Sequence, residues 1–141
     1  MGGTVGYVPP GCGQTWKATP GGDVYSPGVV LLELVTGKTP IGREFHESCG
    51  GNLVGWVRSQ VKDQCGFKCL DPKLLASGVK SEMLETLRMG YLCTAELPTK
   101  RLTMQQVVAV HAIDYLVKVI CFHVHEYMKL ASDRVRITEK A

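Results

Sequence analysis

Four places in this 141-residue chain carry residue types able to do chemistry. Gly37-Lys38-Thr39 matches the end of a phosphate-binding loop, where backbone N–H groups cradle phosphates and the lysine reaches them. That loop needs a glycine five residues earlier, where Leu32 stands, and it must precede a helix rather than follow one. Gly37 therefore reads as a helix C-cap. His125-Glu126 opens a zinc-protease pattern, but Lys129 holds the second histidine position. His123 and His125 then read as a polar edge in an apolar tail. Cys65 and Cys69 can share a helical face, yet no second pair stands at zinc-ligand spacing, so no metal is expected. Four histidines without a supporting motif give no basis for a nucleophile triad.

The elements that must position these residues are mostly helical. The first 22 residues are rich in glycine and proline and read as a loop. Asp23 suits an N-cap for a helix over Val24–Thr36 that Gly37 ends. This helix carries Val29, Val30, Leu31, Leu32, Leu34 and Val35, so it is apolar on nearly every side. Such a helix belongs in the middle of a domain.

Residues 38–51 read as a second loop. Asn52 can cap an amphipathic helix in which Leu53, Val57 and Val61 recur four apart, with Trp56 alongside. Residues 63–80 read as irregular around Asp71-Pro72 and Gly78. A further helix spans about Ser81 to Glu96, with Leu84, Leu87 and Tyr91 on one face, and Pro98 bars its continuation. Thr103 and Gln106 form a capping box for a last helix through Met104, Val107 and Val108. From Asp114 onward neither the helical nor the strand period wins, so the tail is either a helix extension or a strand. The expectation is a mainly α chain of four helices without a strand pair.

Composition narrows the function classes. The chain is long enough for one domain, and 45% hydrophobic residues can build a core. Sixteen basic against thirteen acidic residues give +3, with no basic stripe, which argues against nucleic acid. The longest nearly apolar run, Val29–Val35, contains Glu33 and falls far short of the about 20 residues a membrane span needs. No secretory signal is visible, and Gly6 stands where a myristoylation pattern wants Ser or Thr. Six irregularly spaced cysteines without an export signal read as free thiols in a soluble, cytoplasmic chain.

Taken together, the loop and helices resemble part of a protein kinase. Gly3-Thr4-Val5-Gly6-Tyr7-Val8-Pro9-Pro10 resembles the end of an activation segment. Asp23-Val24-Tyr25-Ser26 and the apolar helix after it resemble the central helix of the kinase C-lobe. Leu97-Pro98-Thr99-Lys100-Arg101-Leu102-Thr103-Met104 resembles the arginine-bearing turn before the last kinase helix. Gly13-Gln14, the run Leu31–Lys38 and the run Gly51–Val57 are similar to plant leucine-rich-repeat receptor-like kinases. The resemblance covers residues 2–113, a partial C-lobe of activation-segment end plus four helices. Residues 114–141 form a divergent, unassigned tail.

The family implies transfer of a phosphoryl group from ATP, with Mg, to Ser or Thr. The groups that position nucleotide and metal are a glycine-rich loop, a strand Lys paired with a helix Glu, a His-Arg-Asp catalytic loop and an Asp-Phe-Gly motif. None occurs in this sequence, whose single asparagine is Asn52. No catalytic residue and no cofactor is therefore expected in this chain. By resemblance, Thr4 would contact the catalytic Asp, while Gly6 and Tyr7 would line the loop that receives the substrate. Asp23 would orient the catalytic-loop backbone. With those partners absent, Thr4 and Asp23 also read as a plain loop residue and a helix cap.

Asp23, Arg101 and Trp56 are the structural candidates. Gly11 replaces the Glu that pairs with Arg101 in the family, and an orphaned buried charge costs about 3–5 kcal/mol. Pro27 replaces an aromatic residue and costs up to about 3 kcal/mol. Leu102 stands where the family has Pro. The expected function is a truncated receptor-like serine/threonine kinase domain, inactive alone. The alternative is a non-catalytic, pseudokinase-like module whose exposed C-lobe surface takes a protein partner or the chain's own tail. Full activity would need another chain to supply the nucleotide lobe.

Overall fold

The computed structural model describes residues 6–9, 20–76, 78, 80–109, 128–129 and 131–132. Among these the chain is helical, and its one β feature is an isolated bridge between Ile41 and Asn52. The order is α1 (Pro20–Thr36), a 3-10 turn (Glu47–Cys49), α2 (Leu53–Lys62), a second 3-10 turn (Gly66–Cys69), α3 (Pro72–Leu75), α4 (Lys80–Cys93), a third 3-10 turn (Pro98–Lys100) and α5 (Met104–Ala109). Thr4, Gly11 and most of the tail from residue 114 lie outside the described residues.

The apolar helix is the hub. Val24, Val29, Leu32 and Val35 of α1 are at most 1% exposed. Burying each stabilises the fold by about 1.5–3 kcal/mol against an exposed side chain. The main core joins Tyr25, Val29, Leu32 and Val35 to Leu53 and Val57 of α2, Leu74 of α3, and Met83 and Leu87 of α4. A second cluster sets Leu31 and Met89 against Leu102 and Val107 at the start of α5.

Helix α1 begins at Pro20, not after Asp23. Proline suits a first helical position, where its missing N–H would be unpaired anyway, so the helix recruits the glycine-rich stretch before Asp23. Asp23 is thus helical and does not cap this helix. Pro27 consequently lies well inside α1, deeper than the first turn, and leaves the carbonyl of residue 23 without its helical donor. Its side chain is exposed, so the ring meets solvent and not the core.

The other helix ends obey local chemistry. The Gly37 N–H donates to the Glu33 carbonyl at 2.9 Å and ends α1. The Asn52 side chain accepts from the Gly55 N–H at 2.8 Å, as a cap for α2. Thr103 and Gln106 exchange two hydrogen bonds, at 2.8 and 3.1 Å, and open α5. The stretch over 63–80 is more ordered than its irregular pattern suggests. Asp71 accepts from the Lys73 N–H at 3.0 Å, and Pro72 begins the four-residue α3. Helix α4 stops at Cys93, three residues short of the expected end. There the Thr94 hydroxyl takes the Gly90 carbonyl at 2.8 Å.

Helices α1 and α4 approach closely through two glycines. A Cβ on Gly28 would lie 2.7 Å from Cys93 Cβ and 2.9 Å from Thr94 Cγ2. A Cβ on Gly90 would lie 2.7 Å from Leu32 Cδ2 and 3.1 Å from the Gly28 carbonyl. The crossing has no room for a side chain at either position. It fixes the hub against α4.

Candidate functional site

The segment 6–9 is fastened to α1 by two hydrogen bonds and lies close against the loop after it. Gly6 has φ +95°, a left-handed backbone that side chains resist, and its Cβ position lies 2.7 Å from Pro40 Cβ. The Tyr7 hydroxyl donates to the Glu33 carboxylate. The Ser26 hydroxyl donates to the Tyr7 carbonyl at 2.7 Å. The hydrogen bond to the Glu33 carboxylate pushes the Tyr7 hydroxyl above its ordinary range, with burial and the negative charge adding to the rise. Pro9 is buried and Val8 is 39% exposed, so the segment presents one side outward.

Of the sequence candidates, Gly6 and Tyr7 meet here, while only the backbone of Asp23 is described. Glu33 and Ser26 are residues the motif reading did not single out. A signal existed for Glu33: a lone carboxylate in an apolar helix requires a partner.

Arg101 and Trp56 lie elsewhere. Arg101 is buried, with its Nε donating to the Ala95 carbonyl at 2.7 Å and its Nη2 to the Glu96 carbonyl at 3.3 Å. Its guanidinium carbon also stands 5.0 Å from the Tyr25 ring centroid. The expected orphaned charge is thus corrected, because carbonyls and an aromatic face meet it. Burial pushes the Tyr25 hydroxyl up, and the charges of Arg101 and Arg58 oppose that rise. Trp56 packs against Phe45 with ring centroids 6.0 Å apart. The Lys38 ammonium lies 5.2 Å from the Trp56 ring centre, so this lysine braces the loop after α1.

Among the described residues, no group of three His, Cys, Asp or Glu converges closely enough to hold a metal ion. A shallow groove of about 310 Å³ between α2 and α4 is walled by Val61, Leu84, Leu87, Tyr91 and Leu92, with Arg88 as its charged member. The four described cysteines, 49, 65, 69 and 93, are free. Burial pushes the Cys69 and Cys93 thiols up to about 11, Cys65 adding to the rise at Cys69. No described helix is long and apolar enough to cross a membrane.

Among solved structures, the pseudokinase domain of BIR2, an immune regulator of the RLK/Pelle family, matches with a TM-score of 0.63 and 28% identity. The match covers 92% of this chain and 37% of that one. A buried hub helix, an arginine-bearing turn before a last helix and a glycine–tyrosine loop end tied to the hub define a kinase C-lobe fold. No family model matches the chain. Over 105 residues it is 50% identical to the leucine-rich repeat receptor protein kinase EMS1 of Arabidopsis thaliana, covering 74% of this chain and 9% of that protein. Over 107 residues it is 49% identical to the leucine-rich repeat receptor protein kinase MSP1 of Oryza sativa subsp. japonica, covering 75% and 8%. The chain belongs to the plant leucine-rich repeat receptor kinases and carries a C-lobe segment of their kinase domain. It spans under a tenth of the length of these curated relatives.

Proposed function

We propose that this chain is the substrate-side part of a receptor-like serine/threonine kinase domain and transfers no phosphoryl group by itself. In an intact domain on the cytoplasmic side of a membrane, ATP and Mg would be held by groups outside this sequence. Thr4, Gly6 and Tyr7 would receive the protein substrate, with Asp23, Arg101 and Trp56 in structural roles. The carrying observation is the tie of Tyr7 to Glu33 and Ser26, which holds a substrate-side loop end in place within a sequence lacking every nucleotide motif. Phosphoryl transfer is positioning plus charge stabilisation, so without those groups nothing lowers the barrier.

The test is a radiolabelled-phosphate transfer assay on the purified chain with Mg-ATP, followed by a thermal melt with and without the nucleotide. The expected result is background transfer and an unchanged melting temperature. Transfer above background would overturn the reading, and a melting shift would reveal a nucleotide site.

A second reading, a non-catalytic interaction module, draws support from the pseudokinase among the solved relatives and from Val30. That residue is 42% exposed on a helix that buries its neighbours Val29, Leu31 and Leu32. A cooperative melt of the chain alone would favour the module, since a partner surface needs a folded core.

A further inference from the structure

The groove between α2 and α4 lies apart from the Tyr7 segment and takes no part in the function proposed above. Its walls are aliphatic and aromatic, and Leu84 is 37% exposed at its edge. Beside it, a Cβ on Gly66 would lie 3.4 Å from Val61 Cγ2 and 3.9 Å from Leu87 Cδ2, and the next residue, Phe67, is 54% exposed. Apolar surface therefore continues past the groove onto the second 3-10 turn.

The charges beside this surface are mostly of one sign. The Arg58 guanidinium is held at the Tyr91 side, donating to the Tyr91 carbonyl at 3.0 Å and standing 4.5 Å from its ring centre. Lys62, exposed, follows Val61 on α2. The Arg88 side chain is 67% exposed, and its one ion pair among the described residues, to Glu85 at 3.7 Å, is long and solvated. Such a pair is worth about 0.3–0.5 kcal/mol and yields readily to a better acceptor. Against these three cations stand two acids, Glu85 on α4 and the exposed Asp63 that directly follows Lys62.

Length selects the shape of the occupant. Leu84 to Leu92 spans two turns of α4, about 12 Å. Anchors at i and i+7 of an amphipathic helix lie about 10.5 Å apart, which matches.

We infer that this groove docks a short amphipathic helix of a partner protein, with aliphatic anchors on its inner face and a carboxylate beside them that pairs with Arg88. The aliphatic anchors supply affinity, and the basic rim selects an acidic partner over a basic one.

The probe is a fluorescein-labelled 14-residue helical peptide with leucines at positions 3, 6, 7 and 10 and glutamates at 4 and 11, titrated with the full chain and read by anisotropy. A matched peptide carrying lysines in place of the glutamates is the control. The expected result is saturable binding to the acidic peptide, at least about tenfold tighter than to the lysine peptide. Leu84→Asp should lower that affinity at least about tenfold while the helical melt stays cooperative. Arg88→Glu, at a well-exposed position, should reverse the charge preference and so provides a second variant if Leu84→Asp perturbs folding. Absence of binding to the acidic peptide at millimolar chain would overturn the inference. So would equal binding of both peptides, or a dimer in light scattering that the acidic peptide does not dissociate.

Discussion

Glu33 is the single charge in the run Val29–Val35, and Tyr7 accounts for it. Removing the phenolic hydroxyl alone leaves a part-buried carboxylate without that donor, which costs about 1–3 kcal/mol. Tyr7→Phe is therefore expected to lower the urea midpoint. Tyr7→Phe combined with Glu33→Leu should recover most of the loss, because both polar partners are then gone. A double mutant as unstable as the sum of the singles would mean that the two side chains do not interact.

The buried thiols give a second residue-scale expectation. Cys69 and Cys93 have folded-state values of about 11 against 9.0 for a free thiol. Well below pH 9 both thiols are protonated in folded and unfolded chains, so there they add no pH dependence. As pH rises from about 9 through about 11, the unfolded chain loses these protons first and the folded state is destabilised. The raised Tyr7 and Tyr25 hydroxyls act in the same direction at higher pH. Urea melts at pH 8, 9 and 10 should show a midpoint that is flat and then falls. A midpoint that rises across this range would contradict the burial of both thiols.

At the scale of the elements, the α1–α4 crossing decides the packing. Alanine is the better helix former than glycine by about 1 kcal/mol, so Gly28→Ala would stabilise an isolated α1. In the fold the new methyl meets Cys93 Cβ, an atom next to the backbone that cannot swing away. Overpacking of this kind costs about 1–3 kcal/mol, and the strain outweighs the propensity gain. A thermal melt of Gly28→Ala is expected to fall by several degrees, since a domain between the classes of about 60–100 and 150–250 residues shifts by about 2–8 °C per kcal/mol. A raised melting temperature would show that the two helices do not approach this closely.

These same elements show what could be read in advance. The caps at Asn52 and at Thr103 with Gln106 were legible because side chain and backbone lie within three residues of each other. The hub helix was legible from its all-round apolar composition. The start of α1 was not, because Asp23 is a good cap locally and competes with Pro20, which suits a first helical position equally well. Neither was the satisfaction of Arg101, since its acceptors Ala95 and Glu96 are carbonyls that carry no side-chain signal. The Tyr7–Glu33 tie spans 26 residues, so no local pattern announces it.

For the molecule as a whole, α1 divides the surface into a closed and an open side. Val29 is fully buried while Val30, the next residue, is 42% exposed. In a helix apolar on nearly every side, such an opening is where an intact kinase domain or a protein partner would add its own apolar surface. The two valines separate that account from simple surface wear. Val30→Lys should change the stability of the isolated chain by no more than about 0.5 kcal/mol, since it meets water. Val29→Lys should abolish the cooperative melt by placing an unpaired ammonium in the core. If Val30→Lys were as damaging as Val29→Lys, the open side would already be covered within this chain in solution. A tolerated Val30→Lys would instead leave that stripe free for the rest of a kinase domain, and the charge should then block reassembly with a separately supplied nucleotide lobe and catalytic loop.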